Sequence, residues 1–161
     1  MKNLFSKGLF LFIAASMFAC SPIETVEPEM VVIDKEQIKK EIQAKENEFA
    51  EIYNSGEIKN IGYYADDAIT YYQNMAPLTS KSERIDFFEL DISSNTNRIS
   101  FTTKDIFVSS DGIQVVEIGY YEVTDSINSP ISTGNYMSLF EKRDGKYFCI
   151  RDMSASDMPL E

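Results

Sequence analysis

The chain has 161 residues, with 26 acidic side chains against 15 Lys and Arg and a formal charge of −11. It contains no histidine, which excludes Ser-His-Asp and Cys-His nucleophile systems and every His-ligated metal site. So acidic a surface repels nucleic acid and anionic membranes, and no metal, cofactor or nucleic-acid partner is expected.

The first segment, MKNLFSKGLFLFIAASMFAC, places Lys2 and Lys7 before an apolar run from Gly8 to Ala19. That order describes an export signal, and the run is shorter than the roughly 20 residues a membrane span needs. Met17-Phe18-Ala19-Cys20 resembles the lipobox of bacterial lipoproteins, with Met in place of the usual Leu. The resemblance implies that Cys20 becomes the first mature residue, carries lipid and anchors the protein in the cell envelope. The polar, Pro-containing stretch SPIETVEPE then reads as a tether. The expected organisation is a signal over residues 1–19, a tether over 20–30 and one domain over 31–161. With Cys20 lipidated, Cys149 is left alone in an apolar strand, where a buried, inert thiol is expected.

Asp34, with Gln37 three residues later, predicts a helix start. Ile38, Ile42, Phe49, Ile52 and Tyr53 recur on one helical face, with the Lys45 stem filling the missing slot, and Gly56 marks the end. A second short helix is expected from Glu57 to about Tyr64, a strand over Ala68–Tyr72, and a third helix from Lys81 to about Leu90 with Ile85 and Phe87 or Phe88 inward. Four strands follow: Arg98–Val108, Ile113–Thr124, Ser132–Lys142 and Tyr147 to about Ser154. SSDG and RDGK mark two of the turns between them. Helices first and hairpin-linked strands after give an α+β domain, with a strongly bent antiparallel sheet wrapped against the first helix.

Two stretches carry a family likeness. YNSGEIKNIGYYADDAITYY (Tyr53–Tyr72) and GNYMSLFEKRDGKYFCIRDMSASDMP (Gly134–Pro159) resemble, in order, two passages of the nuclear-transport-factor-2-like superfamily. The closer likeness is to its SnoaL-like and uncharacterised branches. The resemblance implies a cone-shaped sheet enclosing a pocket, and dimerisation through the outer sheet face. Asp66 and Asp67, inside the first stretch, read as polar punctuation between helix and strand rather than as a paired acid and base, because two like charges fixed together inside would be costly.

Alternation along a bent sheet puts every second residue inward. The expected ligand-binding lining is Phe49, Tyr53, Tyr64, Tyr72, Phe88, Phe107, Tyr120 and Tyr136, with Asp152 as the one carboxylate. Apolar walls with a few hydroxyls suit a small molecule. Superfamily members resembling ketosteroid isomerase use a carboxylate base with Tyr and Asp donors. Those positions fall here on Tyr72, Phe49 and Met137, which argues against that mechanism. Three classes of function stay open. The chain is a lipid-anchored binder of a small, apolar molecule, a cofactor-independent isomerase or cyclase acting through Asp152, or a protein-interaction module whose outer sheet face forms dimers or heteromers. The last would expose apolar residues among Ile99, Phe101, Val115 and Leu139.

Overall fold

The computed structural model describes residues 32–159. The leader, Cys20 and the tether lie outside them. Helix α1 (Lys35–Ser55) starts where the Asp34 side chain accepts from the Gln37 N–H at 2.9 Å, and it ends at Gly56 in the left-handed conformation (φ 80°). A single 3-10 turn (Ile58–Asn60) leads to strand β1 (Tyr64–Tyr71), and helix α2 (Lys81–Ser94) follows. Ser80 and Glu83 close a reciprocal capping box at the start of α2. Strands β2 (Arg98–Val108), β3 (Gln114–Thr124), β4 (Pro130–Arg143) and β5 (Lys146–Ser156) complete the chain. The β4–β5 hairpin turns at Asp144 and Gly145, both at positive φ, as a tight turn between twisted strands requires.

The five strands form one sheet in the order β1-β5-β4-β3-β2. All neighbours are antiparallel except β1, which joins β5 in parallel. The sheet is therefore mixed, where hairpin signals alone predicted an antiparallel one. The second expected helix is replaced by the 3-10 turn, and β1 starts at Tyr64 rather than Ala68. The tyrosine-rich segment there is β-prone and packs on the sheet instead of winding.

Helix α1 runs along β2 and covers the open edge of that strand. Gln43 accepts from the Thr103 N–H at 2.8 Å and donates to the Phe101 carbonyl at 3.2 Å. Asn54 does the same for the N–H (2.8 Å) and carbonyl (2.9 Å) of Ile99. These amides take the place of a further strand and satisfy backbone groups that would otherwise be an unpaired edge. The helix thus closes one side of the bent sheet. Ile38, Ile42, Val115, Phe140, Tyr147 and Cys149 pack as a dry core under its N-terminal half.

At β1 the pairing to β5 is interrupted between Tyr64 and Ile69. Buried Arg84 of α2 donates to the freed carbonyls of Ala65 (3.1 Å) and Ala68 (2.5 Å). Asp66 and Asp67 lie in this irregular stretch and point to solvent. Lys81 pairs with Asp66 at 3.1 Å, and Arg143 grips Asp67 at 2.7 Å. Arg143 holds the Asp67 carboxyl below its ordinary range. The two carboxylates are surface ion-pair partners within a strand, not a boundary and not a catalytic pair.

Candidate functional site

Under the C-terminal half of α1 the interior opens into a cavity of about 280 Å³. Its aromatic wall follows from which residues fall on inward positions. Helix α1 contributes Phe49 and Tyr53, the β1 segment Tyr63, Tyr64 and Tyr72, and α2 Phe87 and Phe88. From the sheet come Phe101, Tyr121 and Tyr136. Phe49 is the hub, with ring centroids 5.2 Å from Tyr63, 5.6 Å from Phe88 and Phe101, and 5.9 Å from Tyr53. Tyr72 stacks on Phe87 at 4.8 Å. Two glycines make room for the tyrosines. A Cβ at Gly119 would collide with the Tyr136 ring, and one at Gly134 with the Tyr121 ring.

Carboxyl groups face this space at three places, Asp152, Glu46 and Asp91. Asp152 of β5 accepts from the Tyr64 hydroxyl at 2.8 Å. Its other oxygen, Oδ1, is buried without a hydrogen-bond partner. Burial pushes the Asp152 carboxyl up to about 6, against the lowering effect of Thr70, Tyr64 and the Arg84 charge. The group is ionised at neutral pH and close to the range of a working general base. Arg84 itself sits behind Tyr64, 5.0 Å from the ring centroid, and does not line the cavity.

The second centre is a buried pair, Glu46 of α1 and Glu117 of β3, exposed by 1% and 0%. Tyr63 donates to Glu46 at 2.6 Å and lies 3.2 Å from the Ser138 hydroxyl. Thr103 and Tyr136 donate to Glu117 at 2.6 and 2.8 Å. Burial first, then the Glu117 charge, pushes Glu46 well above the carboxylate range. Glu117 is raised by burial too, but bonds from Glu46, Thr103 and Tyr136 hold it down. Both carboxyls of the pair are thus raised, by burial first, and two like charges held together in the interior disfavour each other. Nearer the rim, Tyr53 donates to Asp91 of α2. Burial also raises the Tyr64, Tyr72 and Tyr136 hydroxyls, so they remain protonated donors.

Of the predicted lining, Phe49, Tyr53, Tyr64, Tyr72, Phe88, Tyr136 and Asp152 come together around the cavity. Phe107 and Tyr120 do not. Lys104 is an extra residue in β2, opposite no partner between Thr103 and Asp105, and the bulge reverses the alternation beyond it. Ile106 then points inward, and Phe107 outward at 56% exposure. On β3 the inward residues are Val115, Glu117, Gly119 and Tyr121, so Tyr120 faces out under Lys104. Sequence reasoning missed Glu46, Asp91, Tyr63, Phe101, Glu117 and Tyr121. Glu46 had a signal: it continues the spacing Ile38, Ile42, Glu46, Phe49, and takes the slot assigned to the Lys45 stem. Of the residues offered for an outer interface, Ile99 and Phe101 line the cavity and Val115 is core, which leaves only Leu139 outward.

An α1-backed, bent five-stranded sheet around a cavity matches known architectures. A cystatin-like-fold protein of unknown function from Nostoc punctiforme superposes with TM-score 0.64 at 15% identity, over 76% of this chain and 92% of that one. The fold is nuclear-transport-factor-2-like. An NTF2-like protein of unknown function from Shewanella oneidensis agrees at TM-score 0.62 and 16% identity, over 73% of this chain and 98% of that one. A ketosteroid isomerase-like protein from Erwinia carotovora agrees at 0.61 and 15%, over 79% and 100%. No protein-family model matches the sequence, and no curated protein is significantly similar to it. At these identities the likeness is one of NTF2-like fold, and the site must be argued from its own residues.

Proposed function

We propose that the NTF2-like domain binds a small, largely apolar molecule, and that the chain is exported and held in the bacterial cell envelope by lipid on Cys20. The observation that carries the binding reading is the aromatic cavity of about 280 Å³ meeting the Asp152–Tyr64 pair. Apolar walls with a few converging polar groups are the ordinary make-up of ligand sites. Aromatic surface supplies the affinity, and Asp152, Tyr64 and Tyr136 orient a polar end. The envelope reading is supported by the basic-apolar leader and the lipobox-like Met17–Cys20. Extraction of the protein purified from its native membrane tests the first reading, and a stoichiometric small molecule released on denaturation is expected. Radiolabelled palmitate tests the second, with label in the wild type and none in Cys20→Ser.

A second reading, proton-transfer catalysis, is favoured by Asp152 alone, since its carboxyl is pushed up to about 6 beside a neutral Tyr64 hydroxyl. A carboxyl carbon-13 titration with a midpoint near 4 would sink it. A symmetric dimer is favoured by the outer sheet face, where register aligns Ile118, Met137, Met153 and Tyr71 in one row beside exposed Phe107. Sedimentation of Met137→Lys is the check, with dissociation expected.

A further inference from the structure

The proposal that the cavity is a ligand site leaves the ligand's charge unstated, and the lining speaks to it. Glu46, Asp91 and Asp152 all face the cavity, and among the described residues neither Lys nor Arg does. The nearest cation, Arg84, is walled off behind the Tyr64 ring, and its guanidinium nitrogens are taken by the Ala65 and Ala68 carbonyls. It can balance one carboxylate at most. Asp152 Oδ1 makes no hydrogen bond, and the hydroxyl of Thr70, its register partner on β1, makes none either. Around these acceptors stand aromatic rings, the side chains whose quadrupoles attract cations. The whole chain is acidic, which draws cations towards any opening.

Resting on the ligand-site reading above, we propose that this cavity selects an organic cation, a protonated or quaternary amine carried on an apolar body. The ammonium sits against Asp152 and within reach of Asp91, with the apolar body against Phe49, Phe88 and Phe101. A carboxylate-bearing ligand would meet like charge at Asp152 and find no positive partner in the described lining. A neutral ligand would fill the apolar volume and could donate a hydrogen bond, but would bring no charge to set against Asp152.

The test is calorimetric titration of the purified full chain with a charge series on one scaffold: phenylbutylamine, phenylbutanol and phenylbutyrate, at neutral pH and low salt. The amine is expected to bind about tenfold or more tighter than the alcohol, with the carboxylate weakest. Asp152→Asn should narrow the amine-to-alcohol ratio about tenfold, and Asp91→Asn should narrow it less. Equal affinity for amine and alcohol, or tightest binding by the carboxylate, overturns the charge assignment while the ligand-site reading stands. An amine preference unchanged in both Asn variants also overturns it. If none of the three binds at millimolar concentration, the ligand-site reading fails and the charge assignment with it. The wild-type charge series decides the matter even if a variant folds poorly.

Discussion

The two halves of the interior are built from the same elements and differ in what those elements present. Under the first half of α1, successive inward positions carry Ile42, Val115, Phe140 and Cys149, each at 0% exposure. Under the second half the same helix and strands carry Phe49, Tyr121, Tyr136 and Asp152, and the packing stays open. Between them runs a polar seam, in which Tyr63 bonds Glu46 and Ser138, and Tyr136 bonds Glu117. The dry half stabilises the fold, and the open half holds polar groups that a fold alone would not need. Residues that break the local rule of apolar burial point to function more than those that obey it.

The sharpest way to break this contrast is to truncate a large side chain in each half. Phe140→Ala, in the dry half, should lose about 3–5 kcal/mol in urea unfolding. Phe101→Ala, half-buried on the cavity wall, should lose less, about 1–2 kcal/mol, since its site is already partly open. Equal losses would mean that the open half is ordinary core.

Next in size is Asp152. Its folded pKa is raised from 3.8 to about 6 by burial. A raised carboxyl favours the folded state most below the unfolded pKa, and that contribution is lost as pH rises through the folded value. Groups facing it are Tyr64, Thr70 and Tyr72 from the β1 segment, Arg84 from α2, Glu46 from α1 and Cys149 from β5. Wild-type stability should therefore fall between about pH 4 and pH 6, by up to ~3 kcal/mol from this group. Asp152→Asn should show a smaller fall, what remains coming from the raised Glu46 and Glu117, and be the more stable protein at neutral pH, as read from urea midpoints across a pH series.

The seam predicts a smaller, asymmetric pair of effects. Glu117→Ala strands the Tyr136 and Thr103 hydroxyls and should lose about 1–3 kcal/mol. Burial and Glu117 push the Glu46 carboxyl towards its neutral form, so Glu46→Gln, a neutral donor and acceptor of the same shape, should change stability by under about 1 kcal/mol. The smallest effect belongs to Asp67→Ala, which removes an exposed ion pair with Arg143 and should leave the melting midpoint within experimental scatter.

Most of the architecture was legible because its signals are local. Asp34, Gly56 and the RDGK turn fix ends by backbone chemistry that neighbours cannot override. The parallel pairing of β1 with β5 was not legible, since it joins residues some 80 positions apart along the chain. The cavity was legible as an aromatic population but not residue by residue. One extra residue at Lys104 reverses inward and outward along β2, and no local pattern announces it. The acidic seam was hidden for another reason. A glutamate on a helix reads as solvent-facing, and only the tertiary fold supplies the Tyr63 hydroxyl and Glu117 that let Glu46 be buried.

The central claim is that the open half is a binding site. It is tested most directly by thermal unfolding of the full chain against a small-molecule panel, run beside Ser154→Phe, which puts a ring into the cavity while leaving the dry half untouched. A ligand at about 100 times its dissociation constant adds roughly 2.7 kcal/mol, so a rise of several degrees is predicted for the wild type and none for Ser154→Phe. An equal rise in both proteins, or no rise with any compound, would contradict it.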